Sequence, residues 1–356
     1  MSITKRPFGK APDGSEVDLY TLTNTSGASV EITNFGGILR AVNVPDRDGK
    51  LASVVLGYDS VEGYTPLAGY MGALIGRVGN RIADGKCEVG GETLTLAKNE
   101  KDITHLHGGM VGFDRRIWDA TPLEGICQDS LILKYTSPDG EEGYPGTLKV
   151  MVTYTFTDCN ELILHYEAVS DRDTLCNLTN HTYFNLAGEG SGKICDHVVE
   201  FNCDTFTVVD ENCIPTGEQR DVTGTPFDLR SPTRIGDGLA KTEEDEQMRF
   251  GSGYDHNFNI NDFEEGLRFA VHVADPASGR TMDVFTDMPA VQFYAGNHLE
   301  GVNPGSCGRV YEPRDGFCLE TQYAPDSVNH PEFPDSVLYA NEKYDFTTIF
   351  SFDTEE

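Results

Sequence analysis

Met151-Val152-Thr153-Tyr154-Thr155-Phe156 and, a short turn later, Leu162-Ile163-Leu164-His165-Tyr166-Glu167-Ala168-Val169 decide the fold class. Both stretches alternate with the period of two that belongs to a pleated strand, not the 3.6 of a helix. From Leu131 to Val169 the chain reads as three strands, with a break at Pro138-Asp139-Gly140-Glu141-Glu142-Gly143-Tyr144-Pro145-Gly146, where Pro, Asp and Gly supply turn chemistry. Further strands are predicted at His197–Phe201, Thr205–Val209, Asp255–Ile260, Phe269–Ala274, Met282–Thr286, Ala290–Ala295, Gly316–Gln322 and Lys343–Phe352. Upstream, Val30–Ile32, Ile38–Val44 and Val54–Gly57 alternate between turn signals, as do Cys87–Val89 and Glu92–Leu96, while Val61 to Tyr70 reads as loop or at most a short helix. Strands outnumber helices heavily, which predicts an all-β protein of two or more large sheets packed face to face. No linker, repeat or composition shift divides the chain, so a single domain over residues 1–356 is expected.

Composition excludes several classes of function. Asp and Glu number 58 against 27 Lys and Arg, a formal net charge of -31 that repels nucleic acid and anionic membrane and helps little with phosphorylated ligands. The acidic run Thr242–Glu246 and the closing Asp353–Glu356 read as solvated loop and tail. Nine cysteines without a CxxC pair indicate neither a zinc site nor a disulfide framework. Met1–Arg6 leads into no apolar stretch and no segment has membrane-spanning length, so a reduced, cytoplasmic protein is expected. The glycines in Gly72–Ile82 and Gly188–Gly192 lack the strand-then-helix setting of a dinucleotide loop.

Asn177-Leu178-Thr179-Asn180-His181-Thr182-Tyr183-Phe184-Asn185-Leu186 carries the first functional signal. Read as a strand, it puts Asn177, Thr179, His181, Tyr183 and Asn185 on one face, opposite Leu178, Phe184 and Leu186. A wall of amide, hydroxyl, imidazole and phenol groups suits a sugar. Three more segments repeat the motif of a one-sided polar face. Asp255, Asn257 and Asn259 share a side, as do Gln292 and Tyr294, and Glu320 lies with Cys318 and Gln322 opposite Phe317 and Leu319. A carboxylate among apolar neighbours costs stability unless it is paired or used. His105 and His107 share a face if extended, a spacing compatible with metal binding, but no third ligand is evident nearby and no metal is expected.

The ordered set Gly76-Arg77-Val78-Gly79-Asn80-Arg81-Ile82, His105-Leu106-His107-Gly108-Gly109, Asn180–Leu186, Tyr254-Asp255-His256-Asn257-Phe258 and Leu319-Glu320-Thr321-Gln322 strongly resembles the aldose 1-epimerase (galactose mutarotase) family. Supporting matches are Gly112-Phe113-Asp114 ahead of Trp118, Glu142–Gly146 and Gln292–Asn297, so the likeness runs from about Asn34 to the C-terminus. It implies a galactose-mutarotase-like β-sandwich, mainly antiparallel with few short helices, holding a free aldose in an open cleft. It also implies His181 as general acid and Glu320 as general base, with Asn80, Arg81, His107, Asp255 and Gln292 holding the hydroxyls and ring oxygen. No cofactor is needed, since each turnover restores the acid and the base. A monomer or weak homodimer is expected. The rival readings are a non-catalytic sugar-binding sandwich, a hexose-6-phosphate epimerase, which calls for basic side chains at the cleft, and a glycosidase, which calls for two carboxylates.

Overall fold

The alternation seen in the sequence builds three sheets of five or more strands. The structure is a computed structural model and describes residues 2–66, 69–125, 128–301 and 303–355. The largest sheet has nine strands in the order Asp119–Leu123, Gln128–Ser137, Leu148–Thr157, Glu161–Ser170, Lys343–Thr354, Arg280–Thr286, Arg268–Ala274, Val198–Phe201, Thr233–Arg234. A five-stranded sheet takes the N-terminal strands Ser2–Lys10, Glu16–Thr23, Ser29–Thr33, Leu39–Pro45 and Leu51–Ser53 in sequence order. A second five-stranded sheet runs Pro215–Asp221, Thr205–Val209, Asp255–Asn259, Ala290–Tyr294, Cys318–Gln322. The ladders between named strands are antiparallel, and the α-helices among the described residues are the short Val61–Tyr64, Ile235–Leu239 and Glu246–Phe250.

One apolar core joins the sheets. Leu22, Val30 and Ile32 of the first, Leu131, Val152 and Leu164 of the nine-stranded sheet, and Phe206, Phe258, Phe293 and Leu319 of the third pack into the same cluster. A second cluster gathers Val17 and Leu19 of the N-terminal sheet with Tyr58, Tyr64 and Tyr183. The strand Glu16–Thr23 is buried on both faces, Val17 and Leu19 in one cluster and Tyr20 and Leu22 in the other, which breaks the simple alternation. Three further strands left no apolar signature because they are sheet edges: Ser2–Lys10, Asp119–Leu123 and Pro215–Asp221. Edge strands expose one row of backbone groups and tolerate charged or proline-containing sequences.

Two expectations need correction. The stretch Asn177–Leu186 is extended, but it forms a regular ladder only at Thr179–Asn180; Asn177 and Phe184 make isolated bridges to Val78, Val55 and Phe317. It threads between sheets and is not a single strand with one polar wall. Leu178, Phe184 and Leu186 do enter the core. The acidic run is not wholly loop, because Asp245 caps the helix Glu246–Phe250 by accepting from the Met248 N–H at 3.0 Å. The eight cysteines among the described residues are free thiols, and Cys127 lies outside them. Among the described residues no helix is long and apolar enough to cross a membrane.

Candidate active site

The register of the third sheet lays side by side the polar faces read separately in the sequence. Asp255 pairs with Tyr294 and Tyr294 with Cys318; in the next row Asn257 pairs with Gln292 and Gln292 with Glu320. Directly opposed residues of an antiparallel ladder point to the same side, so the carboxyl groups of Asp255 and Glu320 share a face. The other side of these strands gives Phe258, Val291, Phe293 and Leu319 to the core. A cavity of about 230 Å³ opens over the polar face, lined by Tyr70, Asn80, Arg81, Glu100, His107, His181, Tyr183, Asp255, Tyr294, His298 and Glu320 among others. That is below the roughly 300–1,000 Å³ of sites for drug-sized ligands, so the space fits one small molecule.

Six of the seven residues singled out by sequence therefore line one cavity, although they span Asn80 to Glu320. Gln292 shares the polar face, between Asn257 and Glu320, but is not among the lining residues. Its Nε2 donates to Asp255 Oδ1 at 2.7 Å, and its Oε1 accepts from Gln322 at 3.5 Å, so it braces Asp255. The wall read along Asn177–Asn185 also divides. His181 and Tyr183 face the cavity, whereas Asn177 bonds both backbone groups of Tyr323, and Asn185 bonds the Asp315 and Gly192 carbonyls. Arg77 of the Gly76–Ile82 motif is wholly structural. Its guanidinium donates to the Ser137 hydroxyl and to the Pro138, Pro145 and Gly146 carbonyls at 2.8 to 2.9 Å, closing the loop at the end of Gln128–Ser137.

His105 and His107 do not share a face, because the chain leaves the extended region between them. His105 ends in a contact with the Tyr144 hydroxyl at 2.6 Å, while His107 sits at φ 50 and turns into the cavity. Asn80, also left-handed at φ 64, donates its N–H to His107 Nδ1 at 3.1 Å and accepts the His107 N–H on its carbonyl at 3.1 Å. Such corners cost about 1–3 kcal/mol each and persist where the surroundings enforce them. With Nδ1 serving as acceptor, the neutral ring carries its proton on Nε2. His107 is therefore a fixed hydrogen-bond donor.

Ligand-type atoms of His107, His181 and Glu320 lie within 4.8 Å of one another, so the partners that the His105–Gly109 segment lacked come from distant strands. A metal ion needs a lone pair from each imidazole. The Asn80 N–H leaves His107 offering a proton instead, and the donor set does not suit a metal.

The electrostatics single out one pair. His181 Nε2 lies 3.7 Å from Glu320 Oε1, both groups being almost fully buried, and Glu320 Oε2 has no hydrogen-bond partner. Burial pushes the Glu320 carboxyl well above the usual carboxylate range, with Asp255 adding to the rise and Arg81 opposing it. Burial likewise brings His181 down to about 4. Neutral Glu320 beside neutral His181 holds one proton between them, the same count as a carboxylate beside an imidazolium. Arg81 stays charged despite burial, held by Asp255 and by a two-pronged bond from its Nε and a terminal nitrogen to Glu100 at 2.8 and 2.9 Å. Glu100 was not legible in the sequence: it lies in a loop without periodicity, and only the fold carries it to Arg81. Tyr70, which packs edge-on against His107 with ring centroids 4.6 Å apart, and His298 were missed for the same reason.

The aldose 1-epimerase family matches residues 18–351. Galactose mutarotase of Homo sapiens is 46% identical over 352 residues, covering 99% of this chain and 98% of the relative. The chain belongs to the aldose 1-epimerase family. Within that family it is 37% identical to the aldose 1-epimerase of Escherichia coli K12 over 97% of this chain and 98% of the relative. The crystal structure of galactose 1-epimerase from Lactobacillus acidophilus superposes with a TM-score of 0.86 at 31% identity, covering 100% of this chain and 99% of that one. An aldose epimerase homologue from C. elegans superposes at 0.85 and 28% identity, over 94% of this chain and 98% of its own. The sandwich is thus the fold of aldose 1-epimerases, and the cavity is the family member's candidate active site.

Proposed function

We propose that this protein is an aldose 1-epimerase that interconverts the α and β anomers of a free hexose such as D-galactose or D-glucose. The observation that carries the reading is the His181–Glu320 pair, its facing atoms 3.7 Å apart in a cavity sized for one small molecule. Both oxygens that exchange protons in mutarotation, O1 and O5, are bonded to C1, so acid and base must lie close together. Glu320 as carboxylate takes the O1 proton, the C1–O5 bond breaks as C1=O1 forms, and the His181 imidazolium gives its Nε2 proton to O5. Rotation about C1–C2 presents the other aldehyde face. Neutral His181 then takes the proton back from the C5 hydroxyl, O5 attacks C1, and Glu320 returns its proton to O1. The pair carries one proton throughout, so no redox partner or added nucleophile is required.

The remaining residues bind and stabilise. His107 donates from Nε2, Arg81 steadies charge developing on an oxygen, and Asn80 and Asp255 hold hydroxyls, with Gln292 fixing Asp255. Against a glycosidase, which uses two carboxyl groups as its acid and base, the group set against Glu320 is His181, and Asp255 is bonded to Gln292 and faces Arg81. Against a phosphorylated hexose, Arg81 is the only Lys or Arg among the described cavity residues, and Asp255 and Glu100 already neutralise it. The cysteine-rich, disulfide-free described chain supports a reducing compartment such as the cytoplasm. Polarimetry of freshly dissolved α-D-galactose and α-D-glucose decides the matter. The protein should speed the approach to the equilibrium rotation of either sugar; binding of aldoses with an unchanged trace would make it a sugar-binding module.

A further inference from the structure

The imidazole of His181 spans two side chains of one strand. Its Nε2 faces Glu320, and its Nδ1 lies 3.4 Å from the Cys318 sulfur. Cys318 and Glu320 sit two positions apart on Cys318–Gln322 and so project from the same face of the sheet. Cys318 is fully buried, and burial raises its thiol well above the ordinary range, so the group is neutral. Cys318 is the side chain in hydrogen-bond contact with His181 Nδ1 among the described residues. The neighbouring His107, ring centroid 5.2 Å away, is wired in the opposite sense, with its Nδ1 committed as acceptor to the Asn80 N–H.

We propose that Cys318 is a positioning residue for His181, its sulfur accepting the Nδ1 proton so that Nε2 alone exchanges a proton with the sugar. The inference rests on the reading of His181 as the acid. Once the imidazolium has given its Nε2 proton to O5, the neutral ring must keep its remaining proton on Nδ1, in a buried spot where an unpartnered N–H is unfavourable. A thiol sulfur is a weak acceptor. It fixes the ring and the tautomer without the charge that would make the imidazolium reluctant to release its proton, as a carboxylate there would. The reverse arrangement, S–H donating to Nδ1, would place the neutral ring's proton on Nε2 and require imidazolate to form on proton transfer. This wiring also separates the two histidines: His107 is locked as a donor, and His181 is free to cycle.

The test uses the full chain with 15N-labelled histidine, as wild type, Cys318→Ala and Cys318→Ser. Long-range 15N–1H correlation at neutral pH, with the His181 signals assigned by their loss in His181→Asn, reads which ring nitrogen carries the proton. Steady-state mutarotation separates kcat from KM. In the wild type, Nδ1 of His181 should be protonated and Nε2 bare. Cys318→Ala should move proton population to Nε2 and lower kcat about tenfold with KM within about twofold, the scale of one lost hydrogen bond. Cys318→Ser keeps an acceptor and should restore the Nδ1–H tautomer and most of the rate. A wild-type His181 protonated on Nε2, or a tautomer and kcat indifferent to the Ala change, overturns the proposal. A wild type that leaves the polarimeter trace unchanged overturns the enzymatic reading instead, and the tautomer measurement still decides the role of Cys318.

Discussion

Glu320 is the residue on which catalysis should turn. Its replacement by Gln preserves shape and a hydrogen bond to O1 but removes the base. Mutarotation by Glu320→Gln should therefore fall at least about a hundredfold, while sugar affinity, read by calorimetry, stays within about tenfold. Near-normal turnover would mean that the base is another group. The pH profile offers an independent check. In the proposed mechanism the His181–Glu320 pair works with one proton, and a second one blocks it, because a protonated Glu320 beside an imidazolium cannot accept. Burial places His181 at about 4, so the second proton binds only in strong acid, and kcat/KM should hold down to about pH 4 before it falls. An acid limb near the ordinary histidine value of about 6.5 would show that burial does not govern the ring.

Among the elements, the corner that carries His107 is tightly built. Gly108 follows it at φ 84, and a Cβ there would stand 2.0 Å from the Gly76 carbonyl oxygen, which has no room to move without disturbing the Gly76–Ile82 segment. Gly108→Ala must strain both the left-handed backbone and that close approach. The expected result is a loss of about 2 kcal/mol or more of stability by urea unfolding, together with a raised KM as the His107 donor shifts. A variant with wild-type stability and KM would mean that the loop repacks freely and that His107 is not held by it.

For the whole molecule, the shared core argues for one folding unit. Residues from all three large sheets pack in the same cluster, and Trp118, the single tryptophan, is buried within it against Phe113. Urea unfolding followed by Trp118 fluorescence and by far-UV circular dichroism should give coincident transitions. Two separated transitions would divide the chain into domains. The net charge of -31 acts at the same scale: it keeps anions off the surface, and Arg81 inside the cleft is already paired with Glu100 and Asp255.

Most of the strands away from the sheet edges, and the side on which each is polar, were determined by the sequence itself, since both depend on neighbours two positions apart. That is why Asp255 with Asn257, Gln292 with Tyr294 and Glu320 with Cys318 were legible as faces, and why Leu148–Thr157 and Glu161–Ser170 fell where alternation put them. Edge strands such as Ser2–Lys10 escaped because only Phe8 is buried along it and no periodic burial marks it. The family motifs named His181, Glu320 and their companions with a role for each, and the fold gathers six of the seven in one cavity. The register that sets Asn257, Gln292 and Glu320 in one row, the left-handed corners that part His107 from His105, and the reach of Glu100 to Arg81 arise only in the tertiary structure. So do the bond of Gln292 to Asp255 and the placing of the Cys318 sulfur on His181. These contacts join segments up to 137 residues apart, as His181 and Cys318 are. Local periodicity carries no information over such a span, and ladder register and core packing choose the partners.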